Sequence, residues 1–300
     1  MLRILLTAIL LFACAAQADE DIDDVITNAA LRAESGSKSR WSLASIVNYN
    51  GGSLEKPLDE SRPNIAATTG TFDESLLDGQ ISVKYNLSTR NALMAGLGVR
   101  WIAPLQAHPK NNGGDRADAD NPYLIYQYLY RWWGIEAVLQ LQPTYYTNLN
   151  LVKQGYVSSL LINQDNMTEI GKTGLSLGFS VWVQGGIYNK SGPVGQPGDV
   201  DYLADAREDQ ADYLAGLSPV LEYAFTDSVN FRSIWNMWNF EHLRSFDNAA
   251  TFKLDTQTIS VGLGISVTRD IFIYPNVQFQ PEHIRADMTN VAINTNINLF

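Results

Sequence analysis

Glu222 and Arg232 stand symmetrically about Asp227 in the turn TDS (226–228), and Arg131 and Glu136 flank the turn WG (133–134). Folded as hairpins, both turns set an acid opposite a base on one face of a sheet. Such a cross-strand pair stabilises a sheet by roughly 0.2–1 kcal/mol and pins its register. A second chemistry is open to the same set. Together with Lys84, Arg100 and Asp212, these fixed charges could line a water-filled passage and sort solutes by their sign.

Bond-making chemistry has fewer candidates. The histidines are His108 (AHPK), His242 (EHLR) and His283 (EHIR). Glu241–His242, with Asp199 and Asp201 nearby, could form an acid–base site at a rim. Neither His–Glu pair has metal-ligand spacing, and Cys14 is the only cysteine, so no metal and no disulfide is expected. The glycines of GLGISV and GLGVRW lie inside strand patterns rather than in a phosphate-cradling loop. The expectation is a protein without a cofactor that is not an enzyme.

The elements that must position these residues are strands. TISVGLGISV (258–267) alternates without a break: Ile259, Val261, Leu263, Ile265 and Val267 share one face, with Ser260, Gly262, Gly264 and Ser266 opposite. About twelve such segments follow one another: 40–49, 80–87, 92–101, 122–131, 135–146, 156–163, 174–188, 212–225, 229–240, 258–267, 271–279 and 290–300. Several reach ten residues, enough to cross a bilayer at a tilt. The polar faces carry Lys84, Arg100, Glu136, Gln140, Gln142 and Asn276, residues suited to a wet interior. Pro143, Pro219 and Pro275 have the opposite parity and predict bulges or strand ends, since proline cannot donate to a ladder.

Connections alternate in length. Short turns at 88–91, 133–134, 226–228 and 268–270 alternate with long connections at 50–79, 102–121 and 189–211; the region 147–172 fits this order least well. Trp41, Tyr49, Trp101, Trp132, Trp133, Tyr145, Tyr213, Tyr223 and Phe225 cluster near strand ends, as two interfacial girdles would. The N-terminus reads as an export signal over 1–18, with Arg3, a short apolar run and Ala16-Gln17-Ala18. Cys14 resembles a lipobox cysteine, with an ordinary signal residue as the plainer reading. Residues 19–39 form a periplasmic leader, with a short amphipathic helix or a plug in the lumen as alternatives.

A terminal aromatic, Phe300, after the alternating strand NVAINTNINL resembles the C-terminal signature of Gram-negative outer-membrane β-barrel proteins, although Val291, Ile293, Ile297 and Leu299 are one step out of register with it. The resemblance covers residues 40–300 as a general class and names no specific family. It implies an all-β, antiparallel, up-and-down transmembrane barrel of about twelve strands, ten or fourteen being the alternatives. Implied partners are the lipid of the outer membrane and the barrel-assembly machinery, engaged through the last strand. The chain carries 21 basic against 32 acidic residues, which argues against nucleic acid. The leading function is a channel for passive diffusion of small hydrophilic solutes. A surface-binding or structural barrel with a closed lumen is the alternative, and a rim hydrolase the third reading. The histidine–serine spacing of outer-membrane phospholipases is absent.

Overall fold

In the computed structural model the residues described are 22–65, 74–106, 117–148, 151–152, 155–189, 211–243, 251–254 and 256–300. The export signal with Cys14, His108, and Asp199 with Asp201 therefore fall outside the described residues. So does the side chain of Asp212.

The strands are β1 (Trp41–Ser53), β2 (Leu76–Asn86), β3 (Asn91–Ile102), β4 (Ala117–Trp132), β5 (Ile135–Tyr145), β6 (Tyr156–Glu169) and β7 (Leu175–Tyr188). They continue as β8 (Ala211–Ala224), β9 (Val229–Asn236), β10 (Trp238–Leu243), β11 (Thr251–Leu254), β12 (Thr258–Thr268), β13 (Ile271–Phe279) and β14 (Asn290–Leu299). β9 and β10 are one stave broken at Met237. β11 and β12 are another, since β10–β11 continues the register of β9–β12. The fourteen segments thus make twelve staves. Every neighbour is antiparallel, and β14 pairs with β1 to close the cylinder. Closure gives each of the twelve staves a neighbour on both sides, as a membrane-spanning sheet requires.

The sixth stave runs to Glu169 rather than stopping at 163, which turns 170–174 into one more short turn. Its mixed pattern hid it: Gln164 and Asn166 face outward, and Gln164 Nε2 donates to Asn166 Oδ1 at 2.8 Å. With that stave extended, short and long connections alternate without exception.

The greasy face of 258–267 looks outward. Val83, Leu93, Leu97, Leu124, Leu160, Val183 and Leu263 are all exposed, forming an apolar belt around the cylinder. A soluble chain would not leave so broad a belt in water. Aromatics border it at both ends: Trp41, Trp132, Trp133, Tyr223 and Phe225 beside the short turns, Trp101, Tyr145, Tyr213, Trp238 and Phe240 beside the long loops. Trp133, 86% exposed, stacks on Trp132 with ring centroids 4.4 Å apart. Leu263→Arg is expected to destabilise the barrel by about 2–4 kcal/mol in lipid-vesicle urea titrations, whereas Ser266→Arg, facing a cavity, should cost much less. Equal losses at both sites would contradict the assignment of faces.

Two of the three prolines differ from expectation. Pro219 does lie opposite the Met237 bulge. Pro143 and Pro275 instead sit where pairing to one neighbour lapses and resumes with no change of register. A missing N–H removes one ladder bond, which interrupts pairing without inserting a residue. Phe300 lies past the last stave, with φ 82° and 84% exposure, so its parity is no longer that of the strand.

Two short helices precede β1, α1 (Ile22–Val25) and α2 (Ala29–Ser35). They meet side chains of β2, β4, β5, β8 and β14. Only a segment inside the lumen can touch staves all round the cylinder.

Candidate functional site

The lumen segment is held at both ends by inward side chains of the wall. Asn28 caps α2: its Oδ1 accepts from the N–H of Ala30 at 3.0 Å and of Leu31 at 3.1 Å. Just before it, Glu136 of β5 accepts the N–H of Thr27 at 2.9 Å, the N–H of Asn28 at 2.8 Å, and the Thr27 hydroxyl. Glu222 of β8 accepts Asn28 Nδ2 at 2.7 Å. Two carboxylates from different staves therefore grip the turn that starts α2.

The other end is gripped through carbonyls, which a helix C-terminus leaves unpaired. Asn298 Nδ2 donates to the carbonyl of Ala33 at 2.7 Å, Gln127 Nε2 to Glu34 at 3.1 Å and Arg269 to Gly36 at 2.8 Å. Lys84 donates to Ser35 and, at 3.0 Å, to Gln127 Oε1. Lys84 is 1% exposed. Gly36 has φ 85°, and a Cβ there would press on the Lys84 side chain. Arg269 also donates to Asp23 at 2.8 Å, tying down α1.

Between these anchors the contact is apolar. Ile22, Val25, Ile26 and Leu31 pack on Leu129, Val138, Met167 and Val220. Ala30 and Ala33 pack on Phe272 and Tyr274. The interior is thus not polar throughout: at the short-turn end it is a small packed core. On either side of this plug lies space. A cavity of about 540 Å³ opens toward the short turns, lined by Asn28, Arg32, Glu169, Ser176, Asp227 and Ser266 among others. Another of about 330 Å³ lies beside α2 and is lined by Glu34, Arg232, Asn236, Ser260, Gln278 and Asn294 among others. Phe272 borders both.

The charges proposed from sequence divide among three places. Glu222 lies directly opposite Arg232 and pairs with it; Asn230 Nδ2 also approaches Glu222 at 3.4 Å. Arg131 lies opposite Glu136, 3.7 Å away, at the short-turn rim. Arg100, nearer the long loops, stands between Asp78 and Asp118 and bonds Asp118 at 3.2 Å. Lys84 and Glu136 hold the plug rather than face open water. Part of the first long connection also folds in, where Arg62 bonds Gln278 at 3.2 Å and the carbonyl of Pro63 accepts Asn290 Nδ2 at 3.0 Å.

Sequence reasoning missed Asn28, Gln127, Asn298, Arg269 and Glu34. Asn28 was findable, as a capping residue just before AALRAES. The other four act through pairings that only the closed barrel creates.

Glu34 has a pH-sensitive setting. Its carboxyl lies in the lumen within 3.2 Å of Gln140 Nε2. Burial, reinforced by a hydrogen bond and charge repulsion from Asp165, pushes its pKa well above the usual carboxylate range. An acid with a raised pKa takes up a proton when its segment docks. That contribution is complete below the ordinary carboxylate pKa and is lost as pH rises through the raised value. Plug release, read as open-state occupancy in planar bilayers, is expected to increase with pH. Glu34→Gln should flatten the profile; an unchanged profile would exclude Glu34 as the titrating group.

The rim-hydrolase pairing of Glu241 with His242 finds no support in the geometry. Glu241 faces inward, while His242 faces outward and stacks on Tyr213 at 4.5 Å. Successive residues of a strand point to opposite faces, so this pair does not converge on one site. Among the described residues no group of three His, Cys, Asp or Glu side chains could hold a metal.

No family model matches the chain, and no curated protein matches it. Solved structures do. An outer-membrane channel from Pseudomonas putida F1 superposes with TM-score 0.50 over 88% of this chain and 97% of its own, at 10% identity. The NanC porin gives TM-score 0.41 over 85% and 96%, at 10% identity. The outer membrane phospholipase A from Escherichia coli gives 0.38 over 85% and 89%, at 11% identity. The first of these likenesses bears on the fold, and the apolar belt bears on the solvent. The protein is a closed twelve-stave barrel of the Gram-negative outer-membrane type, located in the outer membrane.

Proposed function

We propose that this barrel is a non-enzymatic channel for passive diffusion of small hydrophilic solutes, narrowed at its periplasmic end by residues 22–36. The observation that carries this reading is polar, water-sized space on both sides of the plug, where a purely structural barrel would be filled. The short turns and both ends of the barrel lie on one side, which is the periplasmic side in such proteins. In this reading residues 1–18 direct export, and the last stave engages the assembly machinery. Arg62, Asp78, Arg100 and Asp118 set the field at the outer mouth, with Asp212 as a further candidate.

Planar-bilayer recording of the purified barrel tests the reading. A steady ionic current supports it. A folded barrel that passes no current at any voltage overturns it. That result would favour a closed structural or surface-binding barrel, a reading to which the apolar packing of Ile22, Val25, Ile26 and Leu31 lends weight.

A further inference from the structure

Above the plug, one wall of the lumen differs from the rest. Trp182 and Tyr188 lie on the inward face of β7; Trp182 is in register with Asn163 of β6 and Gly216 of β8, and Tyr188 with Tyr156 of β6. Each ring lies along the wall over a glycine. A Cβ on Gly216 would strike the Trp182 indole, and one on Gly186 would come within 2.7 Å of the Tyr188 ring. The glycines therefore allow the rings to lie against the backbone instead of projecting across the lumen. Tyr156 joins Tyr188 at 4.6 Å between centroids, and Tyr146 joins Tyr156 at 5.5 Å, making an aromatic cluster near the long-loop mouth.

Between and below the rings the wall is built of amides and hydroxyls. Gln184 lies between Trp182 and Tyr188 and donates to the Tyr146 hydroxyl at 3.2 Å. Asn163 lies opposite Trp182, and its Oδ1 accepts from Ser180 at 3.3 Å. Asn239, beside the indole, has a buried Oδ1 with no hydrogen-bond partner. Across the lumen Asn276 donates to Asn294 at 2.8 Å, and Asn294 to Asn48 at 2.9 Å; Asn276 Oδ1 is likewise buried and unpartnered.

Indole and phenol faces on a lumen wall, flanked by the amides of Gln184, Asn163 and Asn239, match one ligand chemistry. A sugar ring offers a C–H face to stack on an aromatic and a rim of hydroxyl donors for the amides. Six residues along a strand separate the two rings by about 20 Å, the span of several sugar units. Asp165 opposite Ser180, with Glu241 on the inward face of β10, puts carboxylates on this wall and disfavours acidic sugars. We propose that the β6–β8 wall, from Tyr156 and Tyr188 down to Trp182 and Asn239, binds a linear neutral oligosaccharide on its way through the lumen.

The proposal deepens the channel reading by naming its solute class, so its test avoids current. Maltohexaose, cellohexaose and trigalacturonate are titrated into the full-length barrel in detergent micelles, with binding followed by calorimetry. Saturable binding of a neutral hexamer is expected, with little or none of the acidic trimer. Trp182→Ala should weaken it at least tenfold, and Trp182→Tyr should restore most of it. Heat-modifiability on gels confirms that each variant is a folded barrel. No binding by either neutral hexamer, or binding indifferent to Trp182→Ala, overturns the proposal. Conductance without sugar binding would sink this inference and leave the channel standing; sugar binding without conductance would overturn the channel reading and, with it, passage of the sugar, leaving only a binding site on this wall.

Discussion

Deleting residues 22–36 is expected to raise the single-channel conductance severalfold while leaving the barrel folded. The closing ladder between β1 and β14 begins at Leu43, beyond the deleted segment. None of the twelve staves depends on the plug for its backbone partners. What the deletion removes is the material between Leu129, Val138, Met167 and Val220 on one side and Phe272 and Tyr274 on the other. A barrel of eight strands is filled by its own side chains, and one of sixteen carries an open channel. Twelve lies between, so occupancy of the lumen decides the current. Lys84→Met is the milder form of the experiment. It strips the cap from Ser35 while keeping most of the apolar stem, and should give brief openings on a closed baseline. A plug-free barrel that conducts no better than the intact one would show that the restriction lies elsewhere, at the folded-in loop that carries Arg62.

The staves were legible because each carries its own instruction. In β12 every second side chain is apolar, and no knowledge of the neighbours is needed to see which face is greasy. The hairpin pairs were legible for a related reason. A short turn fixes the register, and the register fixes that Glu222 meets Arg232 and that Arg131 meets Glu136. What Glu136 and Glu222 do beyond that pairing was not legible. Their partners Thr27 and Asn28 are over a hundred positions away in the chain, and no periodicity links them. Lys84 shows the same limit: it reads as a lumen charge, but closure brings the Ser35 carbonyl to it and makes it a cap. Gln164 and Asn166 misled in the opposite sense, because two amides that bond each other can stand on an outer face where alternation leads one to expect apolar residues.

Glu222→Ala is expected to be the most destabilising single substitution on the lumen face of the wall, by about 3 kcal/mol, the lower end of the range for leaving a buried partner charge alone. The lower end applies because Arg232 borders the 330 Å³ cavity and can recover some hydration there. Glu222 is 3% exposed and serves three donors on two sides of the lumen wall: Arg232, Asn230 and, on the plug, Asn28 Nδ2. Removing the carboxylate strands the guanidinium and loosens the α2 cap in one step. Glu222→Gln keeps an acceptor for Asn28 but loses the charge, so it should cost less stability. The double change Glu222→Leu with Arg232→Leu removes both charges and should be closer to the intact protein than Glu222→Ala alone. Urea titration in lipid vesicles measures all three. If Glu222→Ala unfolds at the same midpoint as the intact barrel, the pair is only a solvated contact, and the plug must be held by Glu136 and the cluster around Lys84 alone.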